Sequence, residues 1–251
     1  MADFSMEIAD VTGAVTSLFD STKDYCRDYL SEKVPEFHIA VKREDLAFEQ
    51  QELDEEAAQE GMRRRVFSDP FLERAAIQRA FAEHLIERDV LMMHGSTVSV
   101  DGKGYLFTAK CGTGKSTHTR FWREVFGSRV VMVNDDKPFV AVTPEKILVC
   151  GAPWSGKHGL HSNISVPLQG ICILERGVEN RIRRIGAEEA RDMLLHQSYC
   201  PAEPEKQEVF QNCMEEVLRR VPLWKMECTK DPQAAQVAWD AMHAEAKEPG
   251  L

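Results

Sequence analysis

The stretch Phe107 to Thr119 reads FTAKCGTGKSTHT, and its reading decides the fold. An apolar run ends, small residues follow, and then a polar and apolar pattern at helical spacing begins. The phosphate-loop pattern G-x-x-x-x-G-K-[ST] is met at Gly114, Lys115 and Ser116, while Ala109 stands where the first glycine belongs. That glycine serves the shape of the loop and not its chemistry. A phosphate cradle needs a strand that ends abruptly, small residues that let backbone N–H groups converge, and a helix whose N-terminal dipole faces the anion. GYLFTA supplies the strand, Gly112 and Gly114 the turn, and STHTRFWREVF the helix, with Phe121 and Val125 four apart. On this reading Lys110, Cys111, Gly112, Thr113, Gly114, Lys115, Ser116 and Thr117 form a nucleotide-binding loop. Lys115 reaches the β- and γ-phosphates, and the Ser116 hydroxyl binds Mg²⁺. Cys111 is read as a small residue filling a tight loop; the alternative is a redox-sensitive thiol, since a helix N-terminus lowers a thiol pKa.

A nucleotide-bound metal needs a carboxylate at the end of a neighbouring strand. RVVMVNDDKPFV provides it: the run Val130 to Val133 ends in Asn134, Asp135 and Asp136, with Asp135 lying 135 − 116 = 19 residues beyond Ser116. We assign this pair to metal binding and to proton removal, against the alternative that two adjacent acids merely cap a turn.

Around these motifs the chain divides into two portions. Residues 1–66 alternate in a strand-like way through FSMEIADV and FHIAV, with a helix through STKDYCRDYL, and close on the charged run ELDEEAAQEGMRRR, expected to be a solvated connector. Residues 67–251 open on a helix, SDPFLERAAIQRAFAEHLIERD, in which Asp69 can cap, Pro70 suits the first turn, and Ile77, Phe81 and Leu85 share one face. Short apolar runs follow: VLMMHGSTVSV, an Asp101-Gly102 turn, GYLFTA, RVVMVN, FVAV, ILVC and GICILE. ERGVENRIRRIG is expected to be a hairpin, its arginines Arg176, Arg181, Arg183 and Arg184 solvated, with a contact from one of them to phosphate as the alternative. The last third returns to helical spacing in AEEARDMLLHQ, KQEVFQNCMEEVL and DPQAAQVAWDAMHAEA.

The composition narrows the function. With 251 residues, 43% hydrophobic and 29% charged, the chain has the make-up of a soluble globular protein. A net charge of −10 argues against nucleic-acid binding, which draws on clustered Lys and Arg. No apolar run approaches the length of a membrane span, and the start MADFSMEIAD is acidic where a signal peptide would be basic and then apolar, so a cytoplasmic protein is expected. Seven scattered cysteines, none in a C-x-x-C pair, indicate reduced thiols rather than a disulfide framework or a zinc site.

The segment VCGAPWSGKHGLHSNISVPLQG places Trp154, Ser155, Lys157, His158, His161 and Asn163 among four glycines, as a binding loop between strands would. Lys157 is the candidate second cation on the transferred phosphate and Trp154 a wall that excludes water. Trp154, Ser155, His158 and Asn163 are the candidate acceptor-binding residues. The alternative is an ordinary exposed loop with two incidental histidines.

Taken together, CGTGKST at 111–117, NDD at 134–136 and HGSTVSVDGKGYLF from His94 resemble the HPr kinase/phosphorylases and phosphoenolpyruvate carboxykinases, and SGTGKSTHT-, NDDKP- and PWSGK-like segments occur together in a group of small HPr-kinase-like bacterial proteins. The resemblance runs from His94 to about Glu175. It implies an α/β fold with a mixed β-sheet around a phosphate-loop core of that type, flanked by helices, with a small N-terminal α/β portion. It also implies phosphoryl transfer in which Asp135 and Asp136 divide the metal and base roles, and in which His94 sits near the transferred phosphoryl group. The chain is about half the expected size of a carboxykinase, and its C-terminal half lacks the HPr kinases' glycine- and arginine-rich signature. The expected activity is therefore an ATP- and Mg²⁺-dependent kinase acting on a hydroxyl of a small molecule or short peptide, with Mn²⁺ as an alternative metal. The alternatives are a protein-serine kinase/phosphorylase acting on a carrier protein, and a nucleotide-binding regulatory module without turnover. The expected partners are a nucleotide and the acceptor, with no nucleic acid and no membrane; the oligomeric state is open.

Overall fold

The computed structural model describes residues 1–59, 61 and 63–244, which form two compact units, Met1–Leu85 and Ile86–Leu251. In the first, strands β1 (Ala2–Ile8) and β2 (Val11–Ser17) are followed by helix α1 (Asp20–Tyr25), strand β3 (Phe37–Ala40) and helices α2 (Arg43–Gln59) and α3 (Asp69–Leu85). The sheet order is β1-β2-β3, with β2 antiparallel to β1 and parallel to β3. FSMEIADV is thus not one strand. Ala9 and Asp10 both take positive φ, 52° and 65°, and turn the chain between Ile8 and Val11.

The run expected to be a connector is helix as far as Gln59. Its Glu, Gln, Leu and Ala residues are strong helix formers, and Glu49 and Glu52 both reach Arg79 of α3, at 2.8 and 3.2 Å. The charge that suggested a solvated linker instead ties α2 to α3. Helix α3 buries Ile77, Phe81 and Leu85 as their spacing requires, and it packs on α1, α2, β2 and β3. The division between units consequently falls after Leu85 and not after residue 66.

The second unit is a nine-stranded mixed sheet. In chain order it contains β4 (Val90–Met92), β5 (Ser96–Val100), β6 (Lys103–Thr108), α4 (Lys115–Phe126), β7 (Val130–Asn134), β8 (Phe139–Val142), β9 (Ile147–Cys150), β10 (Ser165–Arg176), β11 (Arg181–Arg184), α5 (Ala187–His196), α6 (Pro204–Arg220), β12 (Leu223–Cys228) and α7 (Gln233–Ala244). The strand order is β4-β8-β9-β10-β6-β5-β7, with β12 joining β10 to β11. The Asp101-Gly102 turn joins β5 to β6 as read, with φ of 50° and 77°. Strand β6 runs parallel to β10, and both it and β7 are antiparallel to β5 between them. The C-terminal ends of β6 and β7 therefore lie at the same edge of the sheet.

Both faces of this sheet are covered, which is why its strands read as nearly continuous apolar runs. Leu106 and Ile171 face a core shared with Leu194, Phe210 and Val217, from α5 and α6. Tyr105, Phe107 and Cys172 face another, built with Phe121 and Trp122 of α4 and Ala234, Ala238 and Met242 of α7.

ERGVENRIRRIG is not a hairpin. Strand β12 lies between β10 and β11, parallel to the first and antiparallel to the second. Its Trp224 and Met226 alternate into the core, a short strand between two strongly helical segments. Among the described residues no helix is long and apolar enough to cross a membrane, and the seven cysteines are free thiols.

Candidate functional site

Strand β6 ends at Thr108 and the chain turns through Gly112 and Gly114, whose φ values are 71° and 123°. Helix α4 starts at Lys115 with Gly114 as its N-cap and no side chain capping it, so its first N–H groups are available to an anion. Ala109 replaces glycine at no cost: its methyl is fully buried in the apolar core beneath the loop. Lys115 is nine-tenths buried, and its Nζ donates to the Ala109 carbonyl at 3.0 Å. Lys110, Cys111, Gly112 and Ser116 are exposed, and Thr113, Gly114 and Thr117 half-buried.

Arg176 joins the loop from the end of β10. The parallel register pairs Ile173 with Thr108, so Arg176 lies three residues further on, level with the loop, and its Nη2 donates to the Gly112 carbonyl at 2.6 Å. It is exposed and tied to the loop by that bond. Arg181 and Arg183 do engage surface partners, Glu179 and Glu189.

The acid pair is built from the strand between. Ser96, the first residue of β5, is fully buried; its Oγ donates to Asp135 Oδ1 at 2.6 Å and lies 2.7 Å from Thr119 Oγ1 on α4. Thr119 in turn approaches the carbonyls of Lys115 and Ser116 at 3.4 and 3.3 Å. A line of buried hydroxyls therefore connects Asp135, itself 8% exposed, to the first turn of the helix that carries Lys115 and Ser116. The sequence reading missed Ser96 and Thr119. Their signal was present: a serine heading the otherwise apolar face of β5, and a threonine four residues after the motif lysine.

Asn134 fixes the turn. Its amide donates to the carbonyls of Ala152 and Trp154 at 2.8 and 3.1 Å, and its Oδ1 accepts from the N–H groups of Asp136 and Lys137 at 2.8 and 2.7 Å. Asp136 is half-buried with Oδ1 3.5 Å from His94 Nε2. That approach is not an ion pair. Burial, followed by the charges of Lys137, Lys115 and His196, holds the His94 pKa far below its ordinary value, so the ring is neutral near pH 7.

The PWSGK segment is not an ordinary exposed loop. Gly151 to Ser155 are buried, and only glycine fits at 151, where a Cβ would come 1.9 Å from the Ser162 carbonyl oxygen. The returning chain pairs with the end of β7: Asp135 N–H donates to Leu160 O at 3.1 Å and Ser162 N–H to Val133 O at 3.1 Å. Trp154 packs near Phe139, and Ser155 Oγ lies 2.7 Å from His161 Nδ1. Both are anchors of the loop. Gly156 sits over Asp136, so that a Cβ added there would come 3.4 Å from the Asp136 Cβ, and Lys157, His158 and Asn163 are exposed beyond it.

The donors gathered here suit a hard cation. Asp135, Asp136 and the Ser116 and Thr117 hydroxyls offer oxygen alone, the ligand type of Mg²⁺, which takes one or two carboxylates and completes its shell with phosphate and water. Among the described residues no group of three or more His, Cys, Asp or Glu side chains is gathered for a metal.

No protein-family model matches the chain, and no curated protein matches it. Among solved structures it is similar to the Hpr(Ser) kinase/phosphatase from Coxiella burnetii, with a TM-score of 0.39 and 10% sequence identity over 62% of this chain and 99% of that one. That is a distant structural relationship only.

Proposed function

We propose that the second unit binds ATP with Mg²⁺ and transfers the γ-phosphoryl group to a hydroxyl of a small molecule or short peptide. The observation that carries this reading is the buried line Asp135–Ser96–Thr119, which fixes a carboxylate against the uncapped first turn of α4. Structural turns need no such tie. Lys115, the loop N–H groups and Arg176 bind phosphate oxygens; Ser116 and Asp135 hold the metal, whose charge offsets that of the β- and γ-phosphates.

The surroundings of the two acids support giving them different roles. Asp135 accepts a hydrogen bond from Ser96 on one oxygen and is held in place as the metal ligand. Asp136, beside the neutral His94 and under Gly156, takes the acceptor's proton as the hydroxyl oxygen attacks phosphorus and the bond to ADP breaks. His94 steadies that carboxylate without neutralising it.

Lys115→Met tests the nucleotide assignment, because it keeps the buried stem and removes the charge. ATP affinity measured by calorimetry is expected to fall about a hundredfold while the folded state persists, the scale of losing a charged phosphate contact. Unchanged ATP affinity in the folded variant overturns the assignment.

A further inference from the structure

Strands β4 and β8 are antiparallel with Met92 opposite Phe139, and the pairing continues beyond them. Met93 N–H donates to the Pro138 carbonyl and Gly95 N–H to the Asp136 carbonyl, each at 3.0 Å. His94 therefore lies opposite Lys137. On its other side His94 N–H donates to the Gln197 carbonyl at 2.6 Å and Tyr199 N–H to the Met92 carbonyl at 3.0 Å, with Met93 bridged to Ser198. Gln197, His94 and Lys137 thus form one row across three chain segments, and residues opposite one another in such a row share a face.

The row is unfinished as it stands. Lys137 is half-buried, yet among the described residues it makes no ion pair and no side-chain hydrogen bond. Gln197 is 5% exposed, and its buried Oε1 has no hydrogen-bond partner; either end of that amide can turn to a ligand. The charges of Lys115, Lys137 and His196 all bear on the His94 ring. A buried amide oxygen without a partner is costly unless something completes it, and the Lys137 ammonium opposite His94 is left open to a counter-ion.

We infer that Gln197, His94 and Lys137 form the acceptor subsite and take an anionic group, a carboxylate or phosphate, carried by the hydroxyl substrate. This rests on the phosphoryl-transfer reading, since Asp136 adjoins Lys137 and would face the hydroxyl while Lys137 holds the anion. A neutral acceptor would leave the ammonium unmatched, and a site built around such a group discriminates against analogues that lack its partner.

The probes are inorganic phosphate and D-glycerate, titrated separately into protein holding Mg·ADP and followed through the His94 ring resonances. At least one probe is expected to shift His94 saturably, phosphate alone indicating a phosphate-bearing acceptor and glycerate alone a carboxylate-bearing one. Lys137→Arg should retain the effect. Lys137→Met, and Lys137→Gln as a second variant, should weaken that probe by at least about tenfold, the loss of one charge-assisted hydrogen bond, with ADP affinity unchanged. No saturable shift in the wild type, or a shift that folded Lys137→Met and Lys137→Gln leave intact, overturns the inference. If Mg·ADP does not bind, the same titrations without nucleotide still read the Lys137 site, so a Lys137-dependent shift there would sink the phosphoryl-transfer reading and leave an anion site standing.

Discussion

The two turns at the ends of β6 and β7 are neighbours on one sheet edge and are built in opposite ways. The acid turn, Asn134 to Pro138, is buried or half-buried throughout and is crossed by hydrogen bonds from Met93 and Gly95 beyond β4, from the PWSGK segment and from its own asparagine. The phosphate loop is exposed at Lys110 to Gly112, and its ties include the Lys115 ammonium on Ala109, Arg176 on Gly112, and Thr113 N–H on Lys110. The difference teaches where order is built in beforehand. The carboxylates that would face a metal and a proton are fixed by the fold, whereas the loop that would wrap phosphate is open to solvent at Lys110 to Gly112.

The largest test is Asp135→Asn. The amide keeps an oxygen for Ser96 Oγ, so the fold should hold, but the charge is lost. Turnover measured as ADP release is expected to fall by at least about a thousandfold, the scale of removing a group that stabilises charge in the transition state. Near-normal turnover would reduce the acid turn to a structural element and erase the contrast with the loop.

Asn134→Ala asks how much the fold spends on that turn. The substitution strands two N–H groups and two carbonyls in a fully buried position. At about 1 kcal/mol each, denaturant unfolding should report a loss of about 3 kcal/mol or somewhat more. A loss under about 1 kcal/mol would mean that the turn is no better held than the loop.

Much of this was legible in the sequence because its signals are local. The strand, glycines and helix around Lys115, the apolar run ending in Asp135, and the Asp101-Gly102 hairpin are each specified by adjacent residues. What escaped depends on partners distant in the chain. Glu52 reads as solvated charge until Arg79 lies beside it. Arg176 reads as a turn arginine until the parallel register of β10 and β6 carries it to Gly112. Ser96 reads as a strand serine until Asp135 and Thr119 close on it. Strand β12 was missed because six residues between two helices carry a weak pattern, and its pairing with β10 is set by the core it fills.

The helix behind the loop is pinned in the core, and pH can show it. His118 is buried and accepts a hydrogen bond from Trp122 Nε1 at 3.0 Å; burial pushes its pKa down from 6.5 to about 3. Between those values the unfolded chain takes up a proton that the folded chain does not. The associated stability is complete above pH 6.5 and falls as pH drops, by about 1.4 kcal/mol per unit, or about 2 kcal/mol by pH 5. His118→Gln keeps an acceptor for Trp122 and cannot titrate, so its stability should fall less than that of the wild type over this range; His94, depressed by the same cause, is common to both proteins. Parallel slopes would show that His118 is not held neutral in the folded state.

The smallest effect is expected at Gly112, and it bears directly on the comparison. Its φ of 71° disfavours any side chain, but a Cβ there meets no atom within 4 Å, so Gly112→Ala costs backbone strain alone, about 1 kcal/mol. Gly151 supplies the opposite case. A Cβ there would sit 1.9 Å from a backbone oxygen of the strand-paired return segment, and that segment holds the Asp135 N–H. If the loop is shaped by its ligand, Gly112→Ala should lower the midpoint of denaturant unfolding only slightly, and saturating Mg·ATP should raise that midpoint in the variant nearly as much as in the wild type. Gly151→Ala should destabilise several times more and impair turnover through Asp135. Equal losses at the two glycines would break the contrast, because the exposed loop would then be as firmly built as the acid turn.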